Sequence, residues 1–480
     1  MRNIHLPLAL FVATALSGCA VGPNYVKPST PVAAQFAGAE PAVYNGNQQA
    51  QVEFWKQFDD PTLDQLVGDA LSANYDLRIA VGRLVQARAL RNESRFDYAP
   101  TVTASGGYTK QRTPAVEDPF GGAYTTKLYN AGFDATWELD FFGGVRRNVQ
   151  ARNAELEDEV ANLHDAQVSV IAEVARNYFE LRGEQTQLAV AQANVKNQQQ
   201  VLQLTQAQRS AGSGTDLDVA RAQSQLSTTL STIGPTEASI SRSIHRLGVL
   251  TGREPDALTG LLSAPHDLPP LPHVVPVGSP ADMLRRRADI RAAERNLAAS
   301  TDLVGVAVSN LFPKVTFNGN FGFGAATPAG LGATGSSSYT IGPGISWAAF
   351  DLGRVHEQIA GAKAGAVIAL DQYHGTVLNA LEETEDALVT HARDRDQLEH
   401  AQDAASASAT AARLAKIRYE GGLVDFLSVL DAERTELQAE DALAQDRTEA
   451  ATSLIAVYKA LGGGWETAPL PRYTDASISR

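Results

Sequence analysis

Four segments of the chain alternate apolar and polar residues with the period of two that is typical of β-strands. They form two pairs, 102–108 with 129–139 and 315–323 with 339–347. An apolar face opposite a polar face fits a soluble sheet over a core, and it also fits a membrane barrel with lipid outside and water inside. Tyr and Trp near the strand ends, and lengths near the roughly 10 residues of barrel strands, favour the barrel. Since the smallest barrels have about eight strands, we expect several chains to share one.

A long helical stretch follows each strand pair. Pro is absent from 120–234 and from 344–468, and within 145–210 Gly183 alone interrupts. Leu, Val or Ala occupies ten of the fourteen heptad positions tested between 156 and 202. A continuous helix over 145–210 would be about 99 Å long, and a heptad pattern of this length indicates coiled-coil packing. A rod without a conduit is the alternative, and the strands argue against it.

The two halves of the chain repeat one another. Residues 76 and 289 align at an offset of 213, and so do residues 100 and 313. After the strands the offset is 210, which aligns Trp137 with Trp347. One duplicated unit of roughly 200 residues therefore explains the chain.

We divide the chain into a signal segment, two repeats, a linker with seven Pro between 255 and 280, and a tail. The boundaries are 1–18 for the signal, 19–251 for the first repeat, 252–283 for the linker, 284–461 for the second repeat and 462–480 for the tail. Within the repeats we expect strand pairs at about 100–141 and 313–350, and helical hairpins at about 145–251 and 354–461.

Composition excludes several classes of protein. The net charge of -14 has the wrong sign for a protein that binds nucleic acid by neutralising phosphates. The single Cys, Cys19, excludes an internal disulfide framework and Cys-rich metal sites. It follows a short segment with the form of an export signal, and Leu-Ser-Gly-Cys at 16–19 resembles the bacterial lipobox, whose Cys is lipidated. In such lipoproteins a residue other than Asp after the Cys, here Ala20, permits passage to the outer membrane; an ordinary signal with an incidental Cys is the alternative.

Each long helix ends in a glycine-rich turn, after which another helix begins. The turns cover 209–219 and 418–432. Gly accepts the left-handed conformation that ends a helix, and Thr215 with Asp218 has the spacing of a capping box. Ser428 and Asp431 have the same spacing. These acids can be caps and nothing more, or oligomerisation can bring them together as a charged ring at one end of a helical rod.

Four motifs are spread along the chain. They are Cys-Ala-Val-Gly-Pro-Asn-Tyr at 19–25, Phe-Asp-Asp-Pro at 58–61, Leu-Arg-Arg-Arg-Ala-Asp-Ile at 284–290 and Val-Leu-Asp-Ala at 429–432. In order and spacing the sequence resembles the TolC-like outer membrane channels of tripartite efflux systems, especially the OprM/NodT-type lipoproteins. Ala288 departs from the Pro that these proteins usually carry, and it affects only the start of a helix.

The resemblance implies an α+β membrane protein of the bacterial outer membrane that is lipid-anchored and extends into the periplasm. Each internally duplicated protomer would give four strands to a shared trimeric 12-stranded transmembrane β-barrel, continued by a long coiled-coil-like periplasmic α-barrel. The homotrimer would be a passive conduit for drugs or other toxic small molecules. Its partners would be a periplasmic adaptor protein, an inner-membrane pump of the RND type and outer-membrane lipid, with no cofactor besides the covalent lipid on Cys19.

The resemblance also assigns roles to the two turns, where small residues expose the backbone and Gly allows a partner to approach closely. The candidates for adaptor docking are Ser210, Gly212, Ser213, Thr215, Gly421, Gly422 and Val424. Asp425 and Asp431 are candidates for an acidic periplasmic gate. Arg418 and Tyr419 are the residues nearby that could hold such acids by ion pairs or hydrogen bonds.

The sequence contains no recognisable active site, and we expect a protein that is not an enzyme. Its nine His lack a His-Glu-x-x-His motif, the glycine-rich segment 319–324 lies in a strand, and no Gly-x-Ser-x-Gly motif occurs. Two other functions stay open. One is a type I protein-secretion channel, which shares the architecture, and the other is a structural lipoprotein that bridges envelope layers.

Overall fold

The structure, a computed structural model, describes residues 20–117 and 122–466. The signal segment, Cys19 and residues 467–480 of the tail lie outside the described residues. The chain divides into two compact units, each of which takes segments from both sequence repeats. The first unit consists of Met1–Ser29, Arg83–Val160 and Ala292–His374, and the second of Thr30–Gly82, Ala161–Arg291 and Gly375–Arg480.

The elements of the two repeats follow the same order. The first repeat contains β1 (Tyr44–Asn45), α1 (Pro61–Ala73), α2 (Tyr75–Phe96), β2 (Thr101–Thr113), β3 (Tyr124–Leu139), α3 (Gly144–Ser210) and α4 (Asp216–Leu250). The linker contains α5 (Thr259–Leu262), β4 (Val275–Pro276) and the start of α6 (Pro280–Arg286). The second repeat continues with α7 (Ala288–Ser309), β5 (Lys314–Ala325), β6 (Ser337–Ser346), α8 (Leu352–Glu420) and α9 (Phe426–Ala460). Among the described residues, no helix is both long enough and apolar enough to cross a membrane.

The four long strands form one antiparallel sheet in the order β2-β3-β5-β6, within the first unit. The ladder between β3 and β5, in which Leu139 pairs with Val315, joins the two repeats. Across the described residues β2 and β6 each have a strand on one side only. Nearly every residue of β2 is exposed, and large apolar side chains are also exposed on other strands of the sheet, such as Phe133 on β3 and Ile341 on β6. The protomer therefore leaves both edges and an apolar surface of the sheet uncovered.

Equivalent contacts in the two repeats confirm the duplication. The indole Nε1 of Trp137 donates to the carbonyl of Tyr98 at 3.0 Å, and that of Trp347 donates to the carbonyl of Leu311 at 3.0 Å. The two acceptors align at the offset of 213 and the two donors at the offset of 210. Both indoles therefore tie the end of a strand to the segment that precedes the strand pair.

The last helix of each repeat is also held in an equivalent way. Asn74 donates to the carbonyl of Leu250 at 2.9 Å, and Arg287 donates to the carbonyl of Ala460 at 2.8 Å. Carbonyls at a helix end lack partners within the helix, so an outside donor stabilises them. Ala288 is the first residue of α7, as its place in the motif predicts.

Aromatic residues fill the core of the second unit. Phe54 stacks on Tyr458 with 4.9 Å between ring centroids, and both rings are fully buried. The hydroxyl of Tyr178 donates to Asp60 at 2.5 Å. Asp60 is also the N-cap of α1, where its side chain accepts two backbone amides. The Phe-Asp-Asp-Pro motif at 58–61 therefore starts a helix and joins it to the core.

The linker is tied to α3 by side chains of that helix. Arg182 donates to the carbonyl of Ala264 at 3.0 Å, and Gln185 donates to the carbonyl of Leu262 at 2.7 Å. Strand β4 pairs in parallel with β1. The Pro-rich segment is thus an ordered part of the second unit.

Candidate functional site

The first predicted turn joins α3 to α4 in the second unit. Gly212 has a φ of 78°, the left-handed region that suits Gly, and a Cβ there would meet no described atom within 4 Å. The hydroxyl of Thr215 accepts from the amide of Asp218, whose carboxylate accepts from the amide of Thr215, both at 3.2 Å. The capping box predicted here is therefore confirmed. The exposed residues of the turn include Ser210, Gly212, Ser213 and Thr215.

The second predicted turn joins α8 to α9 in the same unit. Gly422 has a φ of 71°, and its amide donates to the carbonyl of Tyr419 at 2.9 Å. The amide of Leu423 donates to the carbonyl of Arg418 at 2.8 Å. These two bonds form a Schellman motif, which satisfies carbonyls at the end of α8. Gly421 is exposed and Val424 is half-buried.

Both candidate gate acids make contacts close by in α9. Asp425 is the N-cap, and its carboxylate accepts the amide of Ser428 at 3.0 Å and the hydroxyl at 2.7 Å. These hydrogen bonds hold the pKa of Asp425 below its usual range. Asp431 pairs with Arg434 at 2.8 Å. The capping box predicted for Ser428 with Asp431 is wrong, because α9 already begins at Phe426 and Ser428 lies inside its first turn.

Tyr419 and Phe426 connect the second turn to the first. The hydroxyl of Tyr419 donates to the side-chain oxygen of Gln208, and its ring centroid lies 5.8 Å from that of Phe426. Phe426 is buried with Val201 and Ala222. Burial raises the pKa of Tyr419, so its hydroxyl stays protonated at neutral pH. One hydrogen bond and one small apolar cluster therefore hold the two turns together.

Arg418 and Tyr419 contact neither candidate acid among the described contacts of the protomer. Arg418 is exposed, and it contributes its backbone carbonyl to the turn. The positive charge beside Asp425 comes instead from Arg221 of α4, which lowers the pKa of that carboxyl further. A ring of Asp425 or Asp431 held by Arg418 or Tyr419 between copies stays a prediction.

Exposed leucines at the turns were missed in the sequence. Leu217, Leu423 and Leu427 are 57%, 73% and 49% exposed. Exposed apolar side chains grouped at both turns favour contact with a partner. An apolar residue directly after a helix-ending Gly, as at Leu423, is the signal that could have identified the group.

Two further expectations concern the lipid site and metal binding. Cys19 lies outside the described residues, and its lipidation stays a prediction. In the part of the chain that the structure describes, no group of three or more His, Cys, Asp or Glu is placed to hold a metal ion.

The sequence profile of the family described as Outer membrane efflux protein matches this chain twice. The matches cover residues 66–253 and 280–463, so one lies mostly in each half of the chain. Together they cover well over half of the chain, and the double match agrees with the internal duplication.

Curated relatives and solved structures are similar along nearly the whole length. Toluene efflux pump outer membrane protein TtgC of Pseudomonas putida is 32% identical over 476 residues, which is 97% of this chain and 96% of the relative. Nodulation protein T of Rhizobium leguminosarum bv. trifolii is 30% identical over 462 residues, 95% of this chain and 96% of the relative. The solved outer-membrane channel OprN has a TM-score of 0.87 at 43% identity and covers 93% of this chain and 100% of its own.

These similarities confirm the predicted fold class, the efflux-channel function and the outer-membrane location. The chain belongs to the Outer membrane efflux protein family.

Proposed function

We propose that this chain forms the outer-membrane conduit of a tripartite efflux pump and passes small toxic molecules passively out of the cell. The observation that carries the proposal is the open sheet, whose edge strands β2 and β6 each lack a second partner in the described protomer. Unpaired backbone groups are costly in lipid, so such a sheet is stable in a membrane only when further strands close it.

Closure by three copies supplies twelve strands, with β6 of one copy beside β2 of the next. Strand β2 has 13 residues and β6 has 10, against about 9–11 for a strand that crosses a bilayer. The exposed apolar residues of the sheet then face lipid. The long helices α3 and α8, with α4 and α9, supply the wall of the periplasmic part.

The proposed partners are a periplasmic adaptor protein and an inner-membrane pump of the RND type. The adaptor would dock at the two turns, where Gly212, Gly422 and Leu423 are exposed. Asp425 and Asp431 would be repeated around the threefold axis as the gate. TtgC carries toluene efflux in its name, which supports a small-molecule cargo. Energy comes from the pump, so the conduit needs no catalytic site and, apart from the lipid on Cys19, no cofactor.

Two measurements on the purified full chain test the conduit. We expect a trimer by mass measurement in detergent and uniform conductance steps in planar bilayers. The gene should also restore solvent or antibiotic tolerance to a strain that lacks its own outer-membrane channel. A folded monomer that does not conduct would refute the proposal, and a chain that restores secretion of a protein instead would favour the secretion channel.

Lipidation is tested separately with Cys19→Ser. Metabolic labelling with a fatty acid should mark the wild-type chain and leave the variant unmarked, because Cys19 is the single Cys of the sequence. Equal labelling of both chains would show that the lipobox assignment is wrong.

A further inference from the structure

Arg147, near the start of α3, is a buried arginine that binds the first described part of the chain, residues 20–27, here called the N-terminal segment. Its guanidinium donates to the side-chain oxygen of Asn24 at 2.7 Å and to the carbonyls of Val21 and Gly22 at 3.2 and 3.5 Å. Asp302 of α7 neutralises its charge at 3.0 Å. A buried arginine is stable only when it is paired, and here most of its hydrogen bonds go to residues 21–24.

Two glycines let the segment approach the backbone of its neighbours. Gly22 has a φ of 89°, and a Cβ there would lie 2.5 Å from the Cα of Gly305. Gly143 has a φ of 81°, and its Cβ would lie 2.6 Å from the Cα of Ala20. A side chain at either glycine would be strained and would push the segment away. The N-terminal segment can therefore follow this path only with glycine at positions 22 and 143.

The segment is held beside the end of β3. The amide of Val21 donates to the carbonyl of Phe142 at 3.1 Å, three residues after the end of β3. The ring of Phe142 stacks on Phe312, the second residue before β5, at 4.6 Å. Trp137, whose indole donates to the carbonyl of Tyr98, lies two residues before the end of β3. Aromatic residues of this kind mark the level of the membrane interface in barrels.

A second set of contacts holds the next few residues. The hydroxyl of Tyr25 donates to Glu294 at 2.9 Å, and Lys27 pairs with the same carboxylate at 2.8 Å. The guanidinium of Arg295 lies over the Tyr25 ring, 5.4 Å from its centroid. The N-terminal segment is thus fixed at two places on the first unit, so it is not a loose tether.

The Arg147 site occurs in one repeat and is missing from the aligned positions of the other. The residues aligned with Arg147, Asp302 and Gly305 are Glu357, Ala89 and Asn92. Glu357 cannot neutralise an acid, and Ala89 supplies no acid to pair with. The two repeats share the same fold, but the aligned positions of the other repeat cannot form this buried ion pair. Because the N-terminal segment passes the repeat that has the pair, we infer that the pair serves to bind this segment.

We propose that Gly143, Arg147, Asp302 and Gly305, here called the N-terminal clasp, form a docking site that fixes where the lipid anchor enters the membrane, beside the end of β3. The inference rests on the lipidation of Cys19 proposed above. Cys19 precedes Ala20 by one peptide bond, and neighbouring Cα atoms are about 3.8 Å apart. Five undocked residues, 20–24, could extend over as much as roughly 17 Å. The clasp removes that freedom, so the acyl chains start next to the aromatic residues at the base of the sheet.

The test uses a fatty acid that carries both a photoreactive group and an affinity handle, fed to cells that make the full chain. After irradiation in membranes, cross-linked peptides are mapped by mass spectrometry. In the wild type we expect most cross-links to join the fatty acid to residues 137–142 or to the adjacent strands. Arg147→Met and Gly22→Ala should lower this fraction about tenfold and spread the cross-links, because charge-assisted hydrogen bonds or the close backbone fit are lost.

Two matched controls separate the clasp from general damage. Arg146→Met removes the neighbouring arginine, whose partner is Asp140 at 3.3 Å. Gly353→Ala changes the glycine aligned with Gly143, where a Cβ would meet no described atom within 4 Å. Both should keep the wild-type cross-link map. If Arg147→Met does not fold, Gly22→Ala decides the result, because it leaves both members of the buried ion pair in place.

Hydrogen exchange of the Val21 amide, which donates to the carbonyl of Phe142, gives an independent readout of docking. We expect slow exchange in the wild type and both controls and fast exchange in the clasp variants. If all variants take up the fatty acid and give the same cross-link map as the wild type, the inference is wrong, although lipidation of Cys19 would still hold. A wild type that takes up no fatty acid would overturn lipidation, and with it the role of the clasp in placing an anchor.

Discussion

Tyr419→Phe removes one hydroxyl from the contact that joins the two turns and leaves the ring in place. The hydroxyl donates to Gln208 in a half-buried position, and the ring still packs against Phe426. The net contribution of such a bond is about 0.5–1.5 kcal/mol. If the turns must separate for the channel to open, the ratio of open to closed channels rises by about two- to twelvefold for each protomer whose turns separate, and these factors multiply when all three protomers open together.

Single-channel recording in planar bilayers measures this ratio directly. Tyr44→Phe is the matched control, because it also removes one tyrosine hydrogen bond in the second unit, to the carbonyl of Leu388 at 2.7 Å, away from the turns. Both variants should unfold at a slightly lower temperature, and only Tyr419→Phe should open more often. An unchanged open fraction in Tyr419→Phe, or an equal rise in Tyr44→Phe, would contradict the reasoning.

Three further predictions concern pH, packing and the candidate gate. Burial, with help from Arg395, lowers the pKa of His391 to about 4, so the unfolded chain binds a proton more readily than the folded one. The free energy of unfolding should therefore fall by about 3 kcal/mol as the pH drops from about 6.5 to about 4, and thermal unfolding of His391→Asn should lose most of that slope. A Cβ on Gly183 would lie 2.0 Å from a threonine hydroxyl of α9, so Gly183→Ala should destabilise the chain by about 1–3 kcal/mol, measured by thermal unfolding. Asp425→Ala and Asp431→Ala should both weaken cation preference in reversal-potential measurements if these acids form a ring, and unchanged selectivity would leave them as a helix cap and an ion-pair partner.

Local periodicity predicted the elements that depend on neighbours in sequence. The alternation at 129–139 falls within β3, since the side chains of a strand point to opposite faces wherever the strand lies. Thr215 and Asp218 form their box because both residues belong to the same helix start. The internal offset that aligns Trp137 with Trp347 corresponds to a repeated contact in the structure, because a duplicated sequence keeps its backbone path.

Choices between overlapping local signals were not predictable. Asp425 with Ser428 and Ser428 with Asp431 have the same capping spacing, and only the position of the preceding turn decides between them. The helix begins at Phe426, whose buried ring lies 5.8 Å from that of Tyr419 in the preceding turn. A sequence pattern does not contain that tertiary contact.

Contacts between distant segments lay beyond the reach of the sequence as well. Besides nearby Gln150, the partners of Arg147 are 123 to 155 residues away along the chain, and an Arg at the start of a long helix is usually a solvated charge. The pairing of β3 with β5 likewise depends on the closing of a long loop, which no local pattern records. These features became visible only once burial and distances were known.

The open edges of β2 and β6 have a consequence for the number of channels in a cell. Until β2 and β6 meet other copies, each newly exported chain carries two open edges and an apolar surface, which invite wrong pairing and proteolysis. Correct assembly requires encounters between several chains, whereas degradation needs only one. When synthesis is low, the waiting time grows and a larger share of the chains is lost. The number of finished channels should therefore fall more steeply than the rate of synthesis, so modest changes in expression would have large effects on efflux capacity.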